Sequence, residues 1–139
     1  DARRQRQMCI RDRIYVPKNY NFQRLLDILE PFGAVLENSK YKNNYEYNRT
    51  LLLLNKTPHL ASDFLNVQES KSLFSPLSVL FYEEYENGRD LESKLAHHTE
   101  NIQCIVGNGE SYVNFGEAQQ PQLWDYADGV NTIEFLANL

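Results

Sequence analysis

The sequence predicts an α/β fold, built on a mainly parallel sheet flanked by helices. Residues 77–106 read as strand, helix and strand, the arrangement that places two strands in parallel with a right-handed crossover. Short apolar stretches at residues 14–17 and 64–67 add further strands. Because so few parallel strands cannot cover both faces of a sheet with helices, we expect the sheet to be incomplete within this chain.

The first strand and the first helix are indicated by the residues at their ends. Residues 14–17 are β-branched and aromatic up to a proline, which is typical of a short strand that stops there. Asn21 can cap a helix and residues 31–33, Pro-Phe-Gly, can end it. Between them, apolar residues recur at helical spacing, namely Phe22, Leu25, Leu26 and Leu29.

The middle of the chain predicts a second helix and two strands. Residues 41–56 have Tyr41 and Tyr45 one turn apart, followed by four consecutive leucines, and this pattern predicts a helix that enters the core. Residues 64–67 and 77–82 are strand-like, and the second stretch is apolar enough to be covered on both faces. The pair Ser75-Pro76 indicates a loop between them.

The last third of the chain predicts a helix at about residues 89–98 and a buried strand at residues 102–106. A turn at Gly107-Asn108-Gly109 leads to a further strand at residues 111–115. The final segment is polar and then apolar. Without internal repeats or a long linker, the chain reads as one α/β unit.

Charge and composition limit the classes of partner. Residues 1–13 hold five arginines and two aspartates, a net charge of +3, which leaves −8 on residues 14–139. An acidic body of this kind disfavours nucleic acid and anionic membrane surfaces as partners. There is no apolar run of membrane-spanning length, no secretion signal and no disulfide framework, so we expect a cytoplasmic protein.

Four groups of residues invite a chemical role, and each has a structural alternative. Cys9 lies among arginines, which favour its thiolate form. His97 and His98 are adjacent positions of a predicted helix, so their side chains point about 100° apart and are poorly placed to bind one metal ion. A histidine near the C-terminus of a helix interacts favourably with the helix dipole, and we prefer this interpretation. The carboxylates Glu83, Glu84 and Glu86 could do acid-base chemistry but are more typical of a solvated strand exit. Cys104 is expected to be an inert thiol of the core.

The glycine turn at residues 107–109 lacks the third glycine of a dinucleotide-binding loop and precedes a predicted strand where a helix should open. We therefore interpret it as a simple turn. From residue chemistry alone, this chain has no complete active site.

Several stretches resemble one enzyme family in the same order along the chain. They are IYVPKNYNF at 14–22, KYKNNYEYNRTLLLLN at 40–55, SPLSVLFYEEY at 75–85, IQCIVG at 102–107 and FGEAQQPQLWDYADGVNTIEFL at 115–136. Together they resemble the C-terminal part of bacterial acyl-CoA reductases of the LuxC type, which belong to the aldehyde dehydrogenase superfamily. The resemblance implies that the chain is the incomplete C-terminal half of an aldehyde-dehydrogenase-like catalytic domain.

The resemblance also implies a reaction. A cysteine attacks a fatty acyl-CoA to form an acyl-enzyme, and hydride from NADPH then releases the aldehyde. In such relatives the nucleophile lies a few residues before the strand that residues 14–17 resemble, and the dinucleotide-binding half lies further upstream. We therefore expect residues 14–139 alone to be inactive and to need the N-terminal half of the same enzyme, in an assembly that could be a homo-oligomer.

Cofactor contacts are implied at the loop before the strand at residues 77–82. Phe74-Ser75-Pro76 resembles the Phe-Gly-Pro segment whose neighbouring glutamate holds the nicotinamide ribose. The position of that glutamate is taken here by Ser72, so Glu69 is the nearest carboxylate on the N-terminal side. The resemblance thus implies Glu69, Phe74 and Pro76 as cofactor-binding residues, with a loop proline and a core aromatic as the structural alternative.

The first thirteen residues, DARRQRQMCIRDR, match nothing in the family and resemble the translation of a sequencing adapter. We expect residues 1–13 to be a non-native, disordered tail and Cys9 to be a decoy with no catalytic role. Two other functions stay open. One is a self-contained binding module whose surface includes Tyr41, Tyr45, Tyr47 and Trp124, and the other is an NAD-linked aldehyde or semialdehyde dehydrogenase fragment.

Overall fold

A computed structural model describes residues 13–99, 102, 104–110, 112–118, 120–126 and 130–138. Cys9 and nearly all of the expected tail lie outside these residues. The chain divides into two units, Asp1–Leu91 and Glu92–Leu139.

The described part of the first unit contains a four-stranded open sheet. Its strands are β1 (Arg13–Pro17), β2 (Leu60–Ala61), β3 (Asn66–Glu69) and β4 (Val79–Tyr85), in the order β1-β4-β3-β2. The strand β4 runs parallel to both β1 and β3, and β2 is antiparallel to β3. The predicted α/β class with a mainly parallel sheet is therefore confirmed.

Three of the described helices are capped at their N-terminus by an asparagine side chain. Along the described chain the helices are α1 (Phe22–Leu29), a 3-10 helix (Glu30–Glu37), α2 (Ser39–Leu54), α3 (Gly88–Ala96) and α4 (Thr132–Ala137). The side chain of Asn21 accepts from the backbone N–H of Gln23, as the sequence predicted, and Asn38 and Asn131 cap α2 and α4 in the same way. Pro31 lies at the start of the 3-10 helix, where its missing N–H removes no helical bond.

The core of the first unit forms where α1 packs on the sheet. The buried cluster at this contact contains Val16 of β1, Phe22 of α1 and Val67 of β3. Further buried apolar residues of the unit are Tyr45, Phe64, Val79 and Phe81. Partly buried side chains pack around the cluster: Ile14, Leu25, Leu26, Leu65, Leu80 and Tyr82. The apolar spacing of α1 therefore did identify the face that the helix buries.

The strand predicted at residues 77–82 and the helix predicted at about 89–98 are present as β4 and α3, but the described residues of 102–106 form no strand beside β4, so the predicted strand, helix, strand unit is wrong in its last element. The parallel neighbours of β4 are β1 and β3. In the described part of residues 102–106 and 111–115, the pairing is an isolated bridge between Val106 and Val113. A short apolar run carries too little periodicity to distinguish a strand from an irregular segment, which explains the error.

The predicted helix at residues 41–56 is present as α2, but its leucines do not enter the core. Leu51, Leu53 and Leu54 are exposed, whereas Tyr45 and Asn48 are buried. Consecutive helical positions point about 100° apart, so four successive leucines cannot share one buried face. The buried face of α2 is instead the one that carries Tyr45 and Asn48.

The second unit exposes many of its apolar side chains, among them Phe115, Leu123, Trp124, Ile133, Phe135 and Leu136. Within the residues that were placed, no helix combines the length and the apolar character needed to cross a membrane.

Candidate functional site

The residues implied by the resemblance lie in or directly before one connection of the sheet, residues 70–78, which we call the crossover loop. It joins the adjacent parallel strands β3 and β4. Parallel strands normally need a connection of about a dozen residues or more, usually with a helix. This connection is shorter and has no helix, so its path across the sheet is tightly constrained.

The start of the crossover loop is held by Arg13 of β1. Its Nη2 donates to the carbonyl oxygen of Ser70 across 2.7 Å, and its Nη1 donates to that of Lys71 across 3.3 Å. The guanidinium also forms an ion pair with Glu83 and lies 4.8 Å from the ring centroid of Tyr15. The Arg13 side chain is only 4% exposed, so β1 begins one residue inside the range expected to be a tail.

The end of the crossover loop is held by α2 and β3. Asn48 Nδ2 donates to the carbonyl oxygen of Leu77 across 2.8 Å, and the hydroxyl of Ser78 donates to the same oxygen. Ser78 has a φ of +66°, a left-handed conformation that is uncommon outside glycine. Its carbonyl oxygen accepts from the N–H of Asn66 across 3.0 Å.

Between these anchors, the middle of the crossover loop faces solvent. Phe74 is 54% exposed and Pro76 is also exposed, whereas Ser75 is buried. Phe74 is therefore not a core aromatic, which was the structural alternative for this segment. Its ring is available to a ligand, while the backbone on both sides of it is held in place.

Glu69 is the last residue of β3 and is exposed at the carboxyl end of that strand. It is paired in the sheet with Tyr82 of β4. The pKa of Tyr82 is raised by burial first, and then by the negative charges of Glu69 and Glu84. Glu69 thus places a carboxylate at the carboxyl end of β3, where it can accept hydrogen bonds from ligand hydroxyls.

The carboxylates at 83, 84 and 86 are not assembled into one acid-base pair. Glu83 and Glu84 are consecutive in β4 and point to opposite faces of the sheet. Glu83 pairs with Arg13, Glu84 accepts from the N–H of Asn19 across 3.3 Å, and Glu86 lies 3.7 Å from Lys18 Nζ. The expected solvated strand exit describes Glu86, but not the partly buried Glu83.

The remaining sequence candidates do not form a site. His97 and His98 follow the end of α3, and the described residues contain no group of three potential metal ligands. The prediction of a core thiol at Cys104 is wrong, because Cys104 is exposed. It lies in an irregular segment with no strand to bury alternate residues.

The Gly107-Asn108-Gly109 segment is a turn, as predicted. The N–H of Gly107 donates to Val113 and the N–H of Tyr112 donates to Gly109, across 3.1 and 3.2 Å. A Cβ atom at Gly109 would lie 2.8 Å from the ring of Tyr112, so a larger residue there would require the ring to shift.

The sequence did not identify Asn48 and Asn66, two buried amides beside the crossover loop. Asn48 could have been noticed, because it lies three residues after Tyr45 on the same face of a helix. The four aromatics of the alternative binding surface differ in exposure. Tyr45 is buried, whereas Tyr47 of the first unit and Trp124 of the second are exposed.

Comparison with known proteins yields no relative, since the chain matches no protein-family model, no curated protein and no solved structure. The candidate site therefore depends on the geometry of the crossover loop and on the residues that resemble the acyl-CoA reductases.

Proposed function

We propose that residues 14–139 form the C-terminal part of the catalytic domain of a LuxC-type acyl-CoA reductase, which reduces a fatty acyl thioester to the aldehyde with NADPH. The observation that supports this most is the crossover loop: an exposed carboxylate, Glu69, precedes it, and Phe74 and Pro76 are exposed between two anchored ends. In open α/β sheets, ligands bind beyond the carboxyl ends of the strands, where Glu69 lies.

The described residues fit one part of a nicotinamide cofactor. The carboxylate of Glu69 can accept hydrogen bonds from ribose hydroxyls, a role that acidic residues have in dinucleotide sites. The exposed ring of Phe74 offers a flat apolar surface to a planar heterocycle. When bound there, the cofactor would supply the hydride that reduces the acyl group.

In this proposal the nucleophilic cysteine comes from a segment upstream of Ile14. Its thiolate attacks the thioester carbonyl carbon, the C–S bond to CoA breaks, and CoA leaves as its thiolate. The residues of this chain act in the second step, where Glu69 and the crossover loop hold the cofactor against the acyl group. Neither Cys9 nor Cys104 has a role in this scheme.

The test starts from the genomic reading frame upstream of Ile14, where the proposal requires a glycine-flanked cysteine. The longer protein should oxidise NADPH only when a fatty acyl-CoA is present, and residues 14–139 alone should not. Substitution of Glu69→Gln should raise the KM for NADPH, whereas Glu86→Gln should leave it unchanged. A longer protein with the intact cysteine and no acyl-CoA reduction would contradict the proposal.

The same assay separates the proposal from its alternatives. Oxidation of an aldehyde with NAD, without reduction of acyl-CoA, would indicate an aldehyde or semialdehyde dehydrogenase. A sharp, cooperative thermal unfolding of the isolated chain, together with no activity in the longer protein, would favour a self-contained binding module.

A further inference from the structure

Buried polar residues concentrate around the crossover loop. Among the described residues, the buried polar side chains are Asn48, Asn66, Ser75 and Ser78. Two of them, Ser75 and Ser78, belong to the loop. The side chain of Asn48 donates to the carbonyl oxygen of Leu77, and the backbone N–H of Asn66 donates to that of Ser78. Burying a polar group is costly unless its hydrogen bonds are made, so the bond from Asn48 to Leu77 offsets the cost of burying the Asn48 amide and holds the end of the loop.

Asn48 belongs to a set of three hydrogen-bond donors on one face of α2. Tyr41, Tyr45 and Asn48 follow each other at one-turn spacing, and they donate to the carbonyl oxygens of Phe64, Ser62 and Leu77 across 3.0, 2.6 and 2.8 Å. A bond to a carbonyl oxygen fixes the backbone, whatever side chain that residue carries. The face of α2 therefore determines where the chain runs before β3 and before β4.

The end of the crossover loop needs such an anchor because its backbone is strained. A non-glycine residue at positive φ, such as Ser78, costs about 1 kcal/mol or more. Leu77 directly follows Pro76, so the bond from Asn48 to the Leu77 carbonyl also determines where Phe74 and Pro76 lie.

We propose that Asn48 is a positioning residue for the cofactor, acting through the crossover loop and not by touching the reacting atoms. This inference rests on the proposed reductase function. The reaction offers a way to separate the two, since acyl transfer from CoA to cysteine needs no cofactor and the reduction does. Loss of the Asn48 anchor should leave the first step intact and weaken the second.

The experiment compares Asn48→Leu and Asn48→Asp in the longer protein. Leucine keeps the side-chain volume and removes the hydrogen-bond donor. Aspartate keeps the side-chain shape and also removes the donor. The burst of CoA released without NADPH should be unchanged, while the KM for NADPH should rise about tenfold or more, the scale expected for a misplaced contact. The control is Asn44→Ala, because the exposed Asn44 amide donates to the carbonyl oxygen of Lys40 in its own helix, across 2.7 Å.

Two results would overturn the inference while leaving the proposed function intact. One is an unchanged KM for NADPH in both Asn48 variants. The other is an equal loss of the CoA burst and of the reduction, together with a lowered Tm, because that pattern would mean a purely structural role. A wild-type protein that neither releases CoA nor oxidises NADPH would instead refute the proposed function, and this inference with it.

Discussion

The hydroxyl of Tyr45 donates a hydrogen bond to the carbonyl oxygen of Ser62 across 2.6 Å. The hydroxyl oxygen of Tyr45 in turn accepts from Arg49 Nη1 across 2.8 Å, and the tyrosine is buried. This bond connects α2 to the segment between β2 and β3. It therefore holds the helix against the connection that leads into β3.

Removing this hydroxyl should destabilise the protein. Tyr45→Phe deletes the bond to Ser62 and leaves Arg49 without its acceptor, so we expect the free energy of unfolding to fall by about 1 to 2 kcal/mol. Urea denaturation of the variant measures it. The matched control is Tyr47→Phe, whose side chain is 64% exposed, and we expect a change there within about 0.5 kcal/mol. Equal effects at both positions would contradict the assignment.

The two ion pairs of β4 should differ sharply in their contribution. The Arg13–Glu83 pair is nearly buried, so Glu83→Gln leaves a buried guanidinium short of its counter-charge and should cost about 2 to 3 kcal/mol. The Lys18–Glu86 pair is exposed, and Glu86→Gln should cost under about 1 kcal/mol. In denaturation experiments, high salt should reduce the contribution of the exposed Lys18–Glu86 pair to the free energy of unfolding and leave that of the Arg13–Glu83 pair unchanged. A neutral Glu83→Gln would show that Arg13 is held by the loop carbonyls alone.

Asn66 provides a test in the opposite direction. Its side chain is fully buried, and neither amide atom has a hydrogen-bond partner in the part of the chain that the structure describes. An unpaired buried amide is costly, so Asn66→Leu should raise the free energy of unfolding by about 1 kcal/mol. Asn66→Asp, which buries a carboxyl group at the same site, should lower it. Destabilisation by leucine would reveal a buried partner such as a water molecule.

The sequence predicted elements best where local signals agreed with tertiary packing. The spacing of Phe22, Leu25 and Leu26 and the cap at Asn21 identified α1 and its buried face, because both signals act within one helix. The leucines of α2 were misleading, because four successive apolar residues do not indicate which face of a helix is buried. The buried face of α2 instead carries three hydrogen-bond donors, whose acceptors lie far along the chain.

Strand pairing could not be predicted for a similar reason. Residues 102–106 look like a strand, but a strand needs a partner in register, and the partners of β4 are supplied by β1 and β3. The same limit applied to the site. The resemblance implied Glu69, Phe74 and Pro76, but only the folded chain shows Arg13 and Asn48 holding the two ends of their loop.

Cys104 should behave as an accessible thiol. It is exposed in an irregular segment, so a thiol reagent should label it in the native state at a rate close to that of a free cysteine. Cys104→Ser should leave Tm unchanged, because no packed contact is removed. Labelling of the Cys9→Ser variant isolates this thiol. Protection of Cys104 until the protein unfolds would restore the core position that the sequence predicted.

Alkaline titration tests the placement of Glu69 beside Tyr82. Burial and the charges of Glu69 and Glu84 raise the pKa of Tyr82 above the value of about 10 for an unfolded chain. The folded state therefore holds this proton more tightly, and the stabilisation is complete below pH of about 10 and is lost as pH rises through the raised pKa.

Glu69→Gln removes one negative charge and should lower the pKa of Tyr82. Ultraviolet titration of the tyrosines, with Tyr82→Phe to identify the signal, measures the shift. Glu46→Gln, an exposed carboxylate paired with Lys42 on α2, should leave this titration unchanged. If Glu69→Gln had no effect either, Glu69 would not face Tyr82, and the carboxylate assigned to the cofactor would lie elsewhere.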